Sequence, residues 1–174
     1  MGVFSKPPID PVVVATKLVS FIREQQHDDR PDWTAAVKSV LGDMANKKDY
    51  LVYPSIDGPA WLLDLVWLHR ATGAIHLAVE SELGNQDCVL NDFQKLLCMK
   101  SPIKIMIYYA DRASFVDRFE QYMRDFDQHL EGENYLLVEF AAGPADRVYF
   151  YNVRKSGRLQ TVKFELKMGR AAAA

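Results

Sequence analysis

The stretch that decides the fold runs from Trp61 to Tyr109: WLLDLVWLHRATGAIHLAVESELGNQDCVLNDFQKLLCMKSPIKIMIYY. Trp61 to His69 is a strand-forming apolar run, Thr72-Gly73 is turn chemistry, and Ala74 to Glu82 is a second strand. The connection is short enough to make these two an antiparallel hairpin. Gly84 to Asp87 reads as a loop. Val89 to Met99 sets Leu90, Phe93, Leu96 and Leu97 at helical offsets of three and four, and Ser101-Pro102 ends that helix. Ile103 to Tyr109 is a continuous, nearly all-apolar run, the pattern of a central strand covered on both faces.

Working outward, Pro11 to Gln26 gives an apolar helical stripe of Val12, Val13, Ala15, Leu18, Val19 and Ile22. His27 to Arg30 is a polar break, and a second helix is predicted from about Asp32 to Lys47, with Asp32 as N-cap. Tyr50 to Tyr53 is a short strand, followed by turn residues Ser55 to Pro59. Beyond the central strand, Ala113 to Leu130 is a long amphipathic helix ended by Gly132. Tyr135 to Phe140, Arg147 to Val153 and Leu159 to Phe164 are strands, the last two joined by Lys155-Ser156-Gly157. The order predicts one α/β domain over residues 1–168, a mixed central sheet flanked by helices with added C-terminal strands. Residues 169–174, ending in four alanines, read as a tail.

A chain of 174 residues is long enough to bury a real core, and 49% hydrophobic with 25% charged residues excludes bulk disorder. The net charge of −2 leans against a domain held to nucleic acid by charge alone. Contact with nucleic acid then has to come from a local basic surface, for which Lys47-Lys48, Lys100 with Lys104, and Arg154-Lys155 with Arg158 are small groups. Each of these is by itself an ordinary solvated face. Arg147, Tyr149 and Tyr151 offer stacking on bases, although aromatic residues in strands are mainly packing residues. Cys88 and Cys98 make neither a disulfide framework nor a zinc motif and fit two reduced thiols of a cytoplasmic protein. The N-terminus lacks an apolar signal region, and the longest apolar runs are too short to span a bilayer.

The hairpin's charges carry the chemistry. Asp64 stands alone in an apolar strand, on one face with Leu62, Val66 and Leu68. Glu80 and Glu82, two apart, share a face at the end of the next strand. Converging carboxylates without an interleaved base repel one another, which raises their pKa values or calls in a cation. Oxygen ligands with no Cys or His beside them suit Mg²⁺ or Mn²⁺ better than zinc. Lys95, on the following helix, supplies a positive charge able to orient an attacking water and balance charge on a phosphate.

These residues resemble the PD-(D/E)XK nuclease superfamily, whose restriction-endonuclease-like core is αβββαβ. That core has an acid early in its second strand and an acid-x-lysine at the end of its third. Asp64 matches the first acid and Glu80 the second, while Glu82 stands where the lysine belongs, giving Glu-x-Glu. Some members carry the lysine on the next helix, where Lys95 lies. The resemblance covers about two thirds of the chain and implies a Mg²⁺- or Mn²⁺-dependent endonuclease, with Asp64, Glu80 and Glu82 as metal ligands and Lys95 beside the nucleophile. It implies nucleic acid as partner, DNA ahead of RNA, and admits a homodimer. Asp43 on the second helix would add a carboxylate, as the first core helix of such nucleases often does.

Plainer readings stand beside these. Asp64 is otherwise an edge acid bonded to backbone amides or paired with Arg70, and Glu80 with Glu82 a solvated strand face. Lys95 is otherwise a surface lysine, Asp92 a helix-start charge, and His69 and His76 surface histidines. The departure at Glu82 also admits an inactive domain that keeps the fold to bind a protein or nucleic acid. A small regulatory protein whose acidic surface blocks a basic partner is a third reading.

Overall fold

Strands follow one another across the sheet in chain order. The computed structural model describes residues 9–25, 33–45, 49–53, 62–83, 85–110, 114–141, 145–154, 159–161 and 168–169. The strands are β1 (Tyr50–Tyr53), β2 (Leu65–His69), β3 (Ile75–Glu82), β4 (Ile103–Ala110), β5 (Asn134–Ala141), β6 (Ala145–Val153) and β7 (Leu159–Thr161), neighbours laterally as in sequence, with β8 (Met168–Gly169) pairing the start of β6. β1, β2 and β3 form an antiparallel meander. β3, β4 and β5 are parallel, and β6 and β7 return antiparallel. The chain is thus an α/β domain around a mixed sheet.

The parallel steps need crossovers, and helices supply them: α3 (Gln86–Cys98) between β3 and β4, and α4 (Val116–Asp125) between β4 and β5. Both steps move the same way across the sheet, so the right-handed rule places both helices on one face. Phe93, Leu96, Phe119 and Met123 accordingly pack with Val66, Ala78, Met106, Tyr108 and Leu137. On the other face α1 (Pro11–Gln25) and α2 (Trp33–Met44) set Val14, Leu18, Val37 and Leu41 against Leu65, Trp67, Val79, Ile105 and Val138. β4 is buried on both sides as its apolar run predicts, with Ile103, Ile105 and Ile107 on the α1/α2 side and Met106 and Tyr108 on the other.

Several boundaries differ from expectation. The first hairpin strand starts at Leu65, and residues 62–64 are bends, so Asp64 precedes the strand instead of lying within it. α4 stops at Asp125, with Phe126 extended, because His129 folds back and its Nε2 donates to the Met123 carbonyl at 2.7 Å. α3 starts earlier than predicted, capped by Asn85, whose side chain accepts from the Asp87 N–H at 2.9 Å. Gly169, assigned to the tail, is in β8. Asp32, Trp61, Lys47, Lys48, Arg158, and the turns at Ser55 to Pro59 and Lys155 to Gly157 lie outside the described residues.

The β2–β3 register jumps from Trp67↔Leu77 to Leu68↔Ile75, which leaves His76 as the extra residue of a bulge. The bulge turns the ring toward Tyr50, whose hydroxyl lies 2.9 Å from His76 Nδ1, and stacks it on His69 at 5.1 Å. These histidines are therefore half-buried and engaged, not ordinary surface groups. The solvated-face reading of Lys104 is corrected, since its side chain is fully buried. Tyr149 and Tyr151 are packing residues of the core, as expected of strand aromatics, and the Tyr151 hydroxyl donates to Glu120 at 2.9 Å.

Candidate functional site

β3 brings two acids to its carboxyl end, and α3, which follows at once, packs back over them. Glu80 is in register with Met106 and Glu82 with Tyr108, so both acids face the α3/α4 side. Only Glu80 is sealed, at 3% exposure. β3 continues beyond its last pair with β2, Leu65↔Val79, and there the Asp64 carboxylate takes up the Ser81 N–H through Oδ2 at 2.8 Å. That bond is the edge-amide contact of the plainer reading. The salt-bridge partner of Asp64, however, is Lys38 of α2, with Nζ 3.5 Å from Oδ1.

Lys95 reaches the acids. One helical turn after Asp92, its ammonium donates to Glu80 Oε1 at 3.0 Å and lies 2.6 Å from Asp92 Oδ1. Burial, helped by the charges of Asp92 and Asp64, pushes the Glu80 carboxyl up to about 7 against the lowering by Lys95. Burial disfavours the Lys95 charge, yet its bonds to Asp92 and Glu80 outweigh that and hold the ammonium above the usual lysine range.

Glu82 is used differently: its Oε1 accepts from the Asn85 N–H at 3.1 Å, fixing the loop that leads into α3. Of the three acids expected to converge, Asp64 and Glu80 act on each other, and Asp92 joins them through Lys95. Among the described residues, no three His, Cys, Asp or Glu side chains form a group able to hold a metal. The chemistry of the donors still fits a hard cation, because Mg²⁺ is commonly held by one or two carboxylates together with substrate phosphate and water. Asp64 and Glu80 are two carboxylates within electrostatic reach of each other.

Sequence reasoning missed Lys38 and undervalued Asp92. Lys38 and Asp43 lie five residues apart on α2, about 140° around the helix. The helix therefore brings a lysine to Asp64, while Asp43 is exposed. Asp92 had a signal, its spacing of three from Lys95. Lys38 had none, since the contact joins α2 to the bend before β2, far along the chain. No protein-family model, curated protein or solved structure matches the chain.

Proposed function

We propose that this chain is a restriction-endonuclease-like domain that hydrolyses phosphodiester bonds in nucleic acid, DNA ahead of RNA, with Mg²⁺ or Mn²⁺ as cofactor. The contact between Lys95 and Glu80 carries the reading, because Glu82 occupies the lysine's usual position and the charge has to come from α3. The strand order supports it too: a meander followed by a helix and a parallel strand is the αβββαβ arrangement the resemblance implies. Glu80 and Glu82 lie at the carboxyl end of β3, one of the parallel strands, where open α/β sheets place their ligands.

In this proposal Asp64 and Glu80 are the cation's ligands, and Glu82 adds a ligand or holds a water. A cation held there would supply Lewis-acid polarisation of the scissile phosphate and a lowered pKa for the attacking water. Lys95, fixed by two carboxylates, orients the nucleophile and offsets charge developing on the phosphate. The test is hydrolysis of plasmid and single-stranded substrates with Mg²⁺ or Mn²⁺, by the wild type and by Asp64→Ala and Glu80→Ala. Cleavage by the wild type that both variants lose is the expected result. Full activity in both variants sinks the assignment.

A second reading has one observation in its favour. Asp64, Glu80 and Asp92 each have a lysine partner, so the cluster is partly neutralised without a metal. On that reading the domain keeps the fold to bind a protein or nucleic-acid partner. A folded wild type without Mn²⁺ binding at millimolar concentration would favour it.

A further inference from the structure

We propose that Lys38 binds the phosphate backbone of the nucleic acid at the mouth of the acidic site, an inference that rests on the nuclease reading above. The two lysines of the cluster arrive from opposite faces of the sheet and are held very differently. Lys95 is pinned between two carboxylates, at 3.0 Å from Glu80 and 2.6 Å from Asp92. Lys38 makes a single looser contact with Asp64 at 3.5 Å, and both side chains are over a quarter exposed, at 27% and 29%. The Glu80 side chain is only 4% exposed, whereas Lys38, Asp64 and Lys95 are all partly exposed, so solvent reaches the cluster from both lysines and Glu80 lies beneath them. A partly exposed pair of this kind contributes little to stability. Its lysine, on a flexible four-carbon stem, is free to exchange one anion for another.

Charge gives that exchange a direction. Asp64, Glu80, Glu82 and Asp92 against Lys38 and Lys95 leave the site formally acidic, a surface that repels a polyanion. A divalent cation held by Asp64 would take up the anion that holds Lys38. The ammonium, which among the described residues is bound by no second carboxylate as Lys95 is, would then pair with a phosphate of the entering backbone. Lys38 thus shields Asp64 in the free protein and binds substrate in the complex, while Lys95 stays with the acids throughout.

The test compares wild type, Lys38→Met, Lys38→Gln and Lys38→Arg, each checked for folding by circular dichroism. Fluorescence anisotropy with labelled duplex and single-stranded oligonucleotides is measured in Ca²⁺ over a potassium chloride series. Lys38→Met and Lys38→Gln should weaken binding several-fold. They should also flatten the dependence of log Kd on log salt by about 0.9 for duplex or about 0.7 for single strands, the loss of one phosphate contact. Lys38→Arg should keep both. Affinity and salt slope unchanged in Lys38→Met and Lys38→Gln overturn the proposal, and so does a wild type that binds neither oligonucleotide. A parallel Mg²⁺ hydrolysis assay separates the two claims. Lost salt slope without wild-type cleavage keeps the Lys38 contact and rejects the nuclease reading. Wild-type cleavage with an unchanged slope does the reverse.

Discussion

Two lysine–glutamate pairs lie on the same face of the sheet, one at each end of the parallel strands, and they are built to opposite ends. At the start of β4, Lys104 is sealed: Nζ donates to the Leu97 carbonyl at 3.1 Å and the Tyr135 hydroxyl at 3.0 Å, and pairs with Glu133 at 3.2 Å. That uses all three ammonium protons. Burial lowers the Lys104 pKa, and Glu133 pulls it back up. Glu133 also meets His129, itself buried, and the Tyr135 hydroxyl at 3.1 Å. At the carboxyl end of β3, Lys95 is 38% exposed and faces more acid than it neutralises. A closed network with every donor matched supports the fold, whereas an open one with surplus carboxylate has chemistry left over for a ligand.

The largest expected effect that probes this contrast is on stability. Lys104→Met strands the Glu133 carboxylate in the core and should cost about 3–5 kcal/mol in urea unfolding. Replacing Glu133 by Leu in the same chain should recover most of it. A loss below about 1 kcal/mol for Lys104→Met, the range of an exposed pair, would erase the distinction between the two clusters.

Glu80→Gln should act in the opposite sense. The folded state keeps a proton on Glu80 up to about pH 7, whereas the unfolded chain releases it in the ordinary glutamate range. Wild-type stability therefore falls as pH rises through that window, because ionising the buried acid costs on the order of 3 kcal/mol. Glutamine carries no such charge, so the variant should match the wild type near pH 5 and exceed it near pH 8. On the proposed nuclease reading, hydrolysis should drop by about a hundredfold or more with it, the stability–function trade expected of a site residue. Equal stability at both pH values would place Glu80 among the structural acids.

Lys95→Met is the finest probe. Lys95 is the group that holds Glu80 down against burial, so its loss should move the Glu80 titration above 7. Carboxyl carbon NMR reads this directly, and an unmoved titration would mean the pair is not formed in solution.

The fold was largely legible because periodicity and turn chemistry report local structure well. β3, α3 and β4 fall close to where alternation, helical spacing and Ser101-Pro102 place them. The reach of Lys95 to Glu80 was legible too, whereas Asp64, read as a charge within a strand, lies in the bend before it. What sequence could not supply was tertiary. Lys38 of α2 meets Asp64 in the bend before β2, Lys104 lies under α3 with a partner 29 residues on, and His129 cuts α4 short. Lys104 in an otherwise apolar strand resembled a surface charge, because nothing local announced the buried Glu133 that balances it. Glu82 looked equivalent to Glu80 by alternation, yet the start of α3 claims one of its oxygens.

The central claim is that the acids beside Lys95 await a cation, and Mn²⁺ calorimetry tests it most directly. Wild type should bind with Asp64 and Glu80 both required, so that Asp64→Asn and Glu80→Gln each abolish the heat while Lys104→Met with Glu133→Leu leaves it intact. A folded wild type that takes up no Mn²⁺ at millimolar concentration, or an Asp64→Asn, Glu80→Gln double variant that binds as well as wild type, would contradict it.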